Sequence, residues 1–169
     1  MNSYTGIGSR QTPAEVLNSF TRLAKWLDKR SFILRSGGAD GADSAFEAGT
    51  TNKEIYLPWK NFNGNPSPLH QISPDAELIA QKFHPAWDKC TQGVKKLHAR
   101  NVYQILGSDL QTPSQFIICW TPNGTGSGGT GQALRIAHHY NIPIFDFGAY
   151  NSLHTAQQAC NQFLKEKIV

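Results

Sequence analysis

Glycine-rich turns follow strand-like segments and precede helix-like ones, and they constrain the fold of this chain more than any other feature. A strand-like run at residues 32–34 leads into Ser36-Gly37-Gly38-Ala39-Asp40-Gly41, and a run at residues 116–120 leads into the glycine-rich stretch 124–131. A third turn, Gly6-Ile7-Gly8-Ser9-Arg10, lies near the start. Glycines let backbone N–H groups approach an anion closely, and a helix N-terminus favours negative charge. Such turns at one edge of a parallel sheet predict a crevice that binds phosphate groups.

Strand-like and helix-like segments alternate along the whole chain. Short apolar and β-branched runs predict strands at residues 3–7, 32–34, 54–57, 116–120 and 143–147. Apolar residues at helical spacing and capping residues predict helices at residues 12–27, 40–48, 73–83, 92–106, 130–140 and 152–165. In the first helix, Thr12 is the predicted N-cap and Pro13 takes the first helical position. The alternation predicts an α/β fold over residues 1–169: a single Rossmann-like domain with a mostly parallel sheet flanked by helices.

Size, charge and cysteine content narrow the class of protein further. The chain has 169 residues, of which 39% are hydrophobic, so it is long enough to bury a core. It has no apolar run long enough to span a bilayer and no signal-peptide pattern, so we expect a cytoplasmic protein without a membrane partner. Cys90, Cys119 and Cys160 form no CxxC pair and are expected to be reduced, with Cys119 in the core. A net charge of +4 permits an anionic partner without indicating DNA by itself.

Four segments of the chain resemble one known family. Gly6-Ile7-Gly8-Ser9-Arg10 is similar to the G-S-R turn of the DNA-processing protein A (DprA, Smf) family, and residues 36–43 are similar to its S-G-x-A-x-G-I-D segment. Residues 100–108 resemble its R-N-R-I-I-A-G-L-S segment, and the second glycine turn resembles its S-G-S/T helix start. The resemblance runs in order over most of the chain. It implies a Rossmann-like fold with a nucleotide-sized pocket.

The wider superfamily resembles this chain as well, and its members differ in function. It includes the LOG phosphoribohydrolases, the molybdenum cofactor carriers and sensors of ADP-ribose-type signals, so the fold does not settle the activity. The chain departs from the DprA pattern in lacking the extra N- and C-terminal domains. It departs from the LOG motif P-G-G-x-G-T-x-x-E at residues 127–135, where Gln132 replaces the threonine and Arg135 or Leu134 stands near the position of the glutamate. The first departure argues against DNA-loading functions that depend on the extra domains, and the second argues against phosphoribohydrolase chemistry.

The candidate binding residues lie in and beside the glycine turns. Glycine N–H groups and nearby hydroxyls would bind phosphate, Arg10 would grip it bidentately, and Asp43 would hold a ribose hydroxyl. Trp59 follows the third strand and could stack on a base. The resemblance implies that Arg100 and Asn101 line the far wall. The predicted binding residues are Gly8, Ser9, Arg10, Ser36, Gly37, Gly38, Ala39, Asp40, Asp43, Trp59, Arg100, Asn101, Gly126, Ser127, Gly128, Gly129 and Thr130.

The main functional expectation is a protein that binds a phosphorylated nucleoside, such as a nucleotide or an ADP-ribose-like molecule, as a sensor or a sequestering protein. One alternative is a single-stranded DNA-binding protein similar to the recombination mediator, with steeply salt-dependent affinity. Another is an N-glycosidase acting on nucleoside 5′-monophosphates. Its catalytic carboxylates would be Asp43 and Glu47, which share a helix face at i and i+4. A carrier of a pterin-type cofactor is a further alternative.

No resident cofactor or metal ion is expected. His138 and His139 are adjacent on a predicted helix and therefore point in different directions, and no group of residues has the spacing of zinc ligands. The superfamily commonly forms two-fold pairs, so the resemblance implies a homodimer or a higher homo-oligomer.

Overall fold

Five parallel strands form the central sheet of the structure. A computed structural model describes residues 2–168 and gives the strands as β1 Ser3–Gly6, β2 Ile33–Ser36, β3 Lys53–Ile55, β4 Ile117–Cys119 and β5 Ile144–Asp146. Their order across the sheet is β3-β2-β1-β4-β5, and each neighbouring pair is parallel. The predicted Rossmann-like α/β fold is therefore confirmed, and its sheet is entirely parallel within the described residues.

Helices cover both faces of this sheet. They are α1 Ala14–Asp28, α2 Ala42–Glu47, α3 Pro74–Lys82, α4 Gln92–Leu106, α5 Gly128–His139 and α6 Leu153–Lys167. Three begin with a hydroxyl that accepts a backbone N–H from the residue three positions later. These caps are Ser73 for α3, Thr91 for α4 and Ser152 for α6. Such caps satisfy N–H groups that the first turn of a helix leaves without partners, so they fix where these helices start.

Two helix starts differ from the sequence prediction. Helix α1 begins at Ala14 with Pro13 in the N-cap position, and the Thr12 hydroxyl instead donates to the carbonyl oxygen of Ser9 at 2.6 Å. Thr12 therefore stabilises the turn after β1 rather than capping the helix. Helix α5 begins at Gly128, two residues before the predicted start. Glycine is a poor helix former, so its low propensity masks this boundary in the sequence.

The core has two layers, one on each face of the sheet. Helices α1, α2 and α6 pack on one face around an aromatic cluster in which the rings of Phe20 and Phe46 stack at 4.2 Å. Helices α3, α4 and α5 pack on the other face against Ile117 and Cys119. Cys119 is fully buried, as predicted. No helix in residues 2–168 combines the length and the apolar character that crossing a bilayer would require.

Asp146 joins the ends of β4 and β5 and so positions the segment that leads into α5. Its Oδ1 accepts the backbone N–H of Thr121 at 2.9 Å and that of Gly148 at 2.8 Å, and its Oδ2 accepts the Thr121 hydroxyl. The Thr121 hydroxyl oxygen in turn accepts the N–H of Gly126 at 3.0 Å. The glycine-rich stretch before α5 is therefore fixed by side chains at the sheet edge.

Gly49 lies where the end of α2 packs closely against α1, and its substitution tests this packing. A Cβ atom there would overlap the carbonyl oxygen of Thr21 and lie 2.7 Å from the Cβ of Ala24. We expect Gly49→Ala to lower the free energy of unfolding by about 1–3 kcal/mol, since helix backbones must then separate. Urea denaturation followed by circular dichroism measures this change.

Gly93→Ala is the matched control. Gly93 lies in the first turn of α4, where the nearest atom to an added Cβ is 4.0 Å away. The same substitution should there leave stability unchanged or raise it by up to about 1 kcal/mol, through helix propensity alone. Equal losses of stability in the two variants would contradict the close packing of α1 against α2.

Candidate functional site

A cleft opens at the carboxyl ends of β1 and β4. β1 is flanked by β2 on one side and by β4 on the other, so the loops after β1 and β4 lead to opposite faces and leave a crevice between them. The cleft has a volume of about 780 Å³, which lies within the range of small-molecule and cofactor sites. Its walls come from these two loops, from α4 and from the first turn of α5.

Most of the predicted binding residues line this cleft. The turn after β1, the start of α2, the middle of α4 and the start of α5 all contribute, although they are far apart in sequence. The predicted residues that line the cleft are Gly8, Ser9, Arg10, Ala39, Asp43, Arg100, Asn101, Ser127, Gly128, Gly129 and Thr130.

The carboxylate of Asp43 already occupies the turns after β1 and β2. Asp43 is 95% buried, with 5% of its surface exposed, and its Oδ2 accepts the backbone N–H of Ala39 at 3.2 Å. The N–H groups of Gly37 and Gly8 also stabilise its ionised form, as does the charge of Arg100. Burial nevertheless outweighs these contacts and raises the pKa of Asp43 to about 6. The chain therefore supplies its own anion to glycine turns that, from the sequence alone, are expected to bind phosphate.

Arg100 is a buried cation that holds the β2 turn against α4. Its guanidinium donates to the carbonyl oxygen of Gly37, to that of Tyr56 at 3.4 Å and to Oδ1 of Asn101 at 3.2 Å. Burial lowers the pKa of Arg100 to about 10, and the nearby Asp43 partly offsets this effect. Arg100 therefore stays charged at neutral pH, but several of its N–H groups are committed to the protein.

The rest of the β2 turn, which the sequence predicts to bind the ligand, lies outside the cleft lining. The Ser36 hydroxyl donates to the carbonyl oxygen of Gly6 at 2.6 Å and is fully buried. A Cβ on Gly37 would meet the side chains of Arg100 and Gln104, and one on Gly38 would lie 2.8 Å from Leu57. These residues are small because neighbouring side chains pack against the turn.

Four further candidates also lie away from the cleft lining. Both carboxylate oxygens of Glu47 are near the Asn65 amide, at 3.0 and 3.2 Å, and one pairs with Lys53 at 3.0 Å, so Glu47 does not share a site with Asp43. Trp59 is 41% exposed and packs edge-on against Phe62. Asp40 is exposed in the turn after β2. The backbone N–H of Gly126 donates to the hydroxyl oxygen of Thr121.

The N-terminus of α5 is the part of the cleft that remains open to an anion. Ser127 occupies the N-cap position, but its side chain caps no N–H group, and the first turn holds no acidic residue. An added Cβ on Gly128 or Gly129 would find no atom within 4 Å, so the backbone here faces open space. The positive end of the helix dipole and the free N–H groups of the first turn together favour a bound anion.

The charge of the cleft lining is mainly positive. Arg10 and Arg135 are exposed and line the cleft together with the buried Arg100, whereas Asp43 is the sole acidic residue among the described residues of the lining. Arg10 makes no ion pair with any residue of the described chain. The arrangement can therefore hold an anionic group at α5 with Arg10 beside it.

Several residues of the cleft are not among the binding residues that the sequence predicts. Arg135 follows from helical periodicity, since it lies seven residues, about two turns, after Gly128 on α5. Gln132 is fully buried behind the lining, where its Oε1 accepts from Asn101 at 3.1 Å and its amide donates to Ala80 at 3.3 Å. His84 and His98 lie at one rim of the cleft, near Cys90. The sequence gives no sign of this cluster, because its spacing matches no zinc motif.

This chain is similar to a known protein in its structure and not in its sequence. The sequence matches no family model and no curated protein. The structure is similar to that of DNA processing protein A from Helicobacter pylori, which was solved in a study of its single-stranded DNA binding mode. The two superpose with a TM-score of 0.60 at 20% sequence identity, covering 98% of this chain and 81% of that chain. The DprA-like fold that the sequence motifs implied is thus supported by the structure.

The raised pKa of Asp43 predicts a specific pH dependence of stability. Because the folded pKa of about 6 exceeds the unfolded value of 3.8, the folded state binds the proton more tightly. Protonation of Asp43 therefore raises the free energy of unfolding. This contribution is fully present below pH 3.8 and is lost as the pH rises through 6. At about 1.4 kcal/mol per pH unit, its upper bound is roughly 3 kcal/mol.

Asp43→Asn removes this titration. The free energy of unfolding of the wild type minus that of Asp43→Asn should fall by up to roughly 3 kcal/mol between pH 4 and pH 7, as measured by urea denaturation. Other titrating groups, including His98, whose pKa burial lowers to about 4, cancel in this difference. The Asp40→Asn variant is the control, since it removes an exposed carboxylate from the same turn. A flat difference for Asp43→Asn would contradict a buried, destabilised carboxylate.

Proposed function

We propose that this protein binds single-stranded DNA through its phosphate backbone, with one phosphate at the N-terminus of α5. The observation that carries the proposal is the uncapped first turn of α5, with open space beside Gly128 and Gly129. Arg10 lines the same cleft and can bind a phosphate oxygen pair with its planar guanidinium. The similarity in fold to DNA processing protein A, whose solved structure addresses single-stranded DNA binding, supports the proposal.

The lining of the cleft also suggests how such binding would depend on sequence and salt. The described lining residues include no Phe, Tyr or Trp on which bases could stack. Recognition would therefore rest on phosphate contacts, which are independent of base sequence. Each phosphate neutralised on a single strand contributes about −0.7 to the slope of log affinity against log salt concentration. Weak base preference and a clear salt dependence are the expected properties.

A nucleoside phosphate is the second candidate ligand, and the form of the cleft favours it. The volume of about 780 Å³ suits one nucleotide, and the Asp43 carboxylate at the cleft wall could accept a ribose hydroxyl. Sensing or sequestering such a molecule would need nothing more than binding. Cleavage of an N-glycosidic bond is not proposed, because Glu47 is held by Lys53 and Asn65 and leaves Asp43 without a second carboxylate. The homo-oligomeric state stays a prediction.

Arg10→Ala tests the proposed phosphate contact. Fluorescence anisotropy with a labelled oligothymidylate of about 30 nucleotides, longer than one binding site, measures the affinity over a range of salt concentrations. Losing one charge-assisted contact of about 1.5–3 kcal/mol should weaken binding by roughly 10- to 150-fold at low salt. The salt slope should become shallower by about 0.7, because one fewer phosphate is neutralised.

Arg22→Ala is the matched control, since Arg22 is an exposed arginine in a different groove, between α1 and α6. It removes the same charge and should change the affinity little. Similar losses for Arg10→Ala and Arg22→Ala would show a non-specific charge effect and contradict the proposed site. Binding of adenosine monophosphate or ADP-ribose without binding of the oligonucleotide would replace the DNA proposal with the second candidate.

A further inference from the structure

Three residues with metal-binding side chains come together at the rim of the cleft. His84 follows α3, Cys90 ends the short 3₁₀ turn Trp87–Lys89, and His98 lies on α4. One ligand atom from each residue lies within 4.8 Å of those of the other two. The imidazole rings of His84 and His98 are 4.5 Å apart, centroid to centroid. We propose that His84, Cys90 and His98 bind a zinc ion.

The separations within the cluster are close to those of a zinc site. With a Zn–S bond of about 2.3 Å and a Zn–N bond of about 2.1 Å, tetrahedral coordination places sulfur and nitrogen about 3.6 Å apart. Sγ of Cys90 lies 3.7 Å from Nε2 and 4.0 Å from Nδ1 of His84. Shifts of a few tenths of an ångström at these half-buried side chains would therefore complete the Cys90–His84 edge of the site.

The hydrogen bonds around the cluster indicate which His84 nitrogen the metal takes. The backbone N–H of Ala86 donates to Nδ1 of His84 at 3.0 Å, so Nδ1 carries the lone pair of the neutral ring. A zinc ion would bind this nitrogen in place of the Ala86 N–H, and Nε2 would keep its proton. The Cys90 thiol lies 3.5 Å from the carbonyl oxygen of Ala86, and its proton passes to solvent when the thiolate binds zinc.

A second observation points to a missing partner at His98. Its Nδ1 is buried and has no hydrogen-bond partner among the described residues, which is unusual for a buried polar atom. Two imidazoles and a thiolate form a donor set that suits zinc better than magnesium or calcium, which prefer oxygen ligands. The residue types and the unsatisfied nitrogen of His98 thus both indicate a transition-metal ion such as zinc.

The cluster supplies three ligands, which leaves one position of a tetrahedral ion available. Sites with three protein ligands keep a fourth position for water or substrate, unlike structural sites with four. His84 and His98 both line the cleft, so this position would face it. The ion would add positive charge to the rim and offer a coordination position to a water molecule or a phosphate oxygen. The inference depends on the contacts within the cluster and not on the proposed DNA binding.

Isothermal titration with Zn²⁺ under reducing conditions tests the inference on the full chain. We expect one ion per chain. Loss of even an indirect supporting residue typically weakens metal sites 10- to 100-fold, so Cys90→Ser and His84→Ala should each lower the affinity by at least about tenfold. Matched controls are Cys160→Ala, at a cysteine on α6, and His154→Ala, at an exposed histidine of α6, and both should leave the affinity unchanged. Equal zinc affinity in the wild type and Cys90→Ser would overturn the proposal.

Cobalt substitution gives a readout that does not depend on affinity. Co²⁺ bound by the wild type should show a thiolate-to-cobalt charge-transfer band that is lost in Cys90→Ser and kept in Cys160→Ala. Circular dichroism in the presence of a chelator establishes that each variant is folded before titration. Adding inorganic phosphate should change the d–d bands of the cobalt protein if the fourth position is accessible. Absence of the thiolate band would overturn the site, and d–d bands insensitive to phosphate would overturn the open fourth position.

Discussion

The ionised carboxylate of Asp43 organises the carboxyl edge of the sheet. It lies at the start of α2, where backbone N–H groups from the turns after β1 and β2 converge on it and Arg100 from α4 supplies the opposite charge. Four separate parts of the chain thereby meet around one buried anion. Because the Asp43 carboxylate engages these N–H groups, the first two glycine turns stabilise the fold. The N-terminus of α5 is then the part of the cleft that can bind an external anion.

Burial of the Asp43 carboxylate costs free energy, and this cost restricts which residues can surround it. Transfer of a carboxylate from water into a protein interior is repaid only by close donors and an opposite charge. Arg100 lies near Asp43 but gives N–H groups to the carbonyl oxygens of Gly37 and Tyr56, so it links the β2 turn to α4 while its charge acts on Asp43. A side chain on Gly37 would collide with that guanidinium. The glycine is thus required by the buried guanidinium and its hydrogen bonds.

The sequence predicts the fold well because the signals for it are local. Apolar runs followed by glycine turns mark β1, β2 and β4, and capping hydroxyls such as Ser73 and Thr91 mark helix starts, so the parallel sheet follows from patterns a few residues long. The candidate site is predicted less completely, because its character depends on long-range contacts. Gly37 and Gly129 look alike in sequence, yet the first packs against Arg100 and the second faces open space. Glu47 satisfies the i, i+4 rule with Asp43, but Lys53 and Asn65 hold its carboxylate elsewhere.

The position of Asp43 also bears on the choice between the two proposed ligands. A pyrophosphate such as that of ADP-ribose carries two adjacent charges and would need a second set of N–H donors near the first. The nearest glycine turns already hold a carboxylate, so a second phosphate placed there would meet a like charge. A phosphodiester carries one charge per phosphate, and its next phosphate can lie further along the strand, towards the exposed Arg135 or outside the cleft. One open helix end beside an occupied pair of glycine turns therefore supports the proposal of a single-stranded polymer rather than a compact diphosphate.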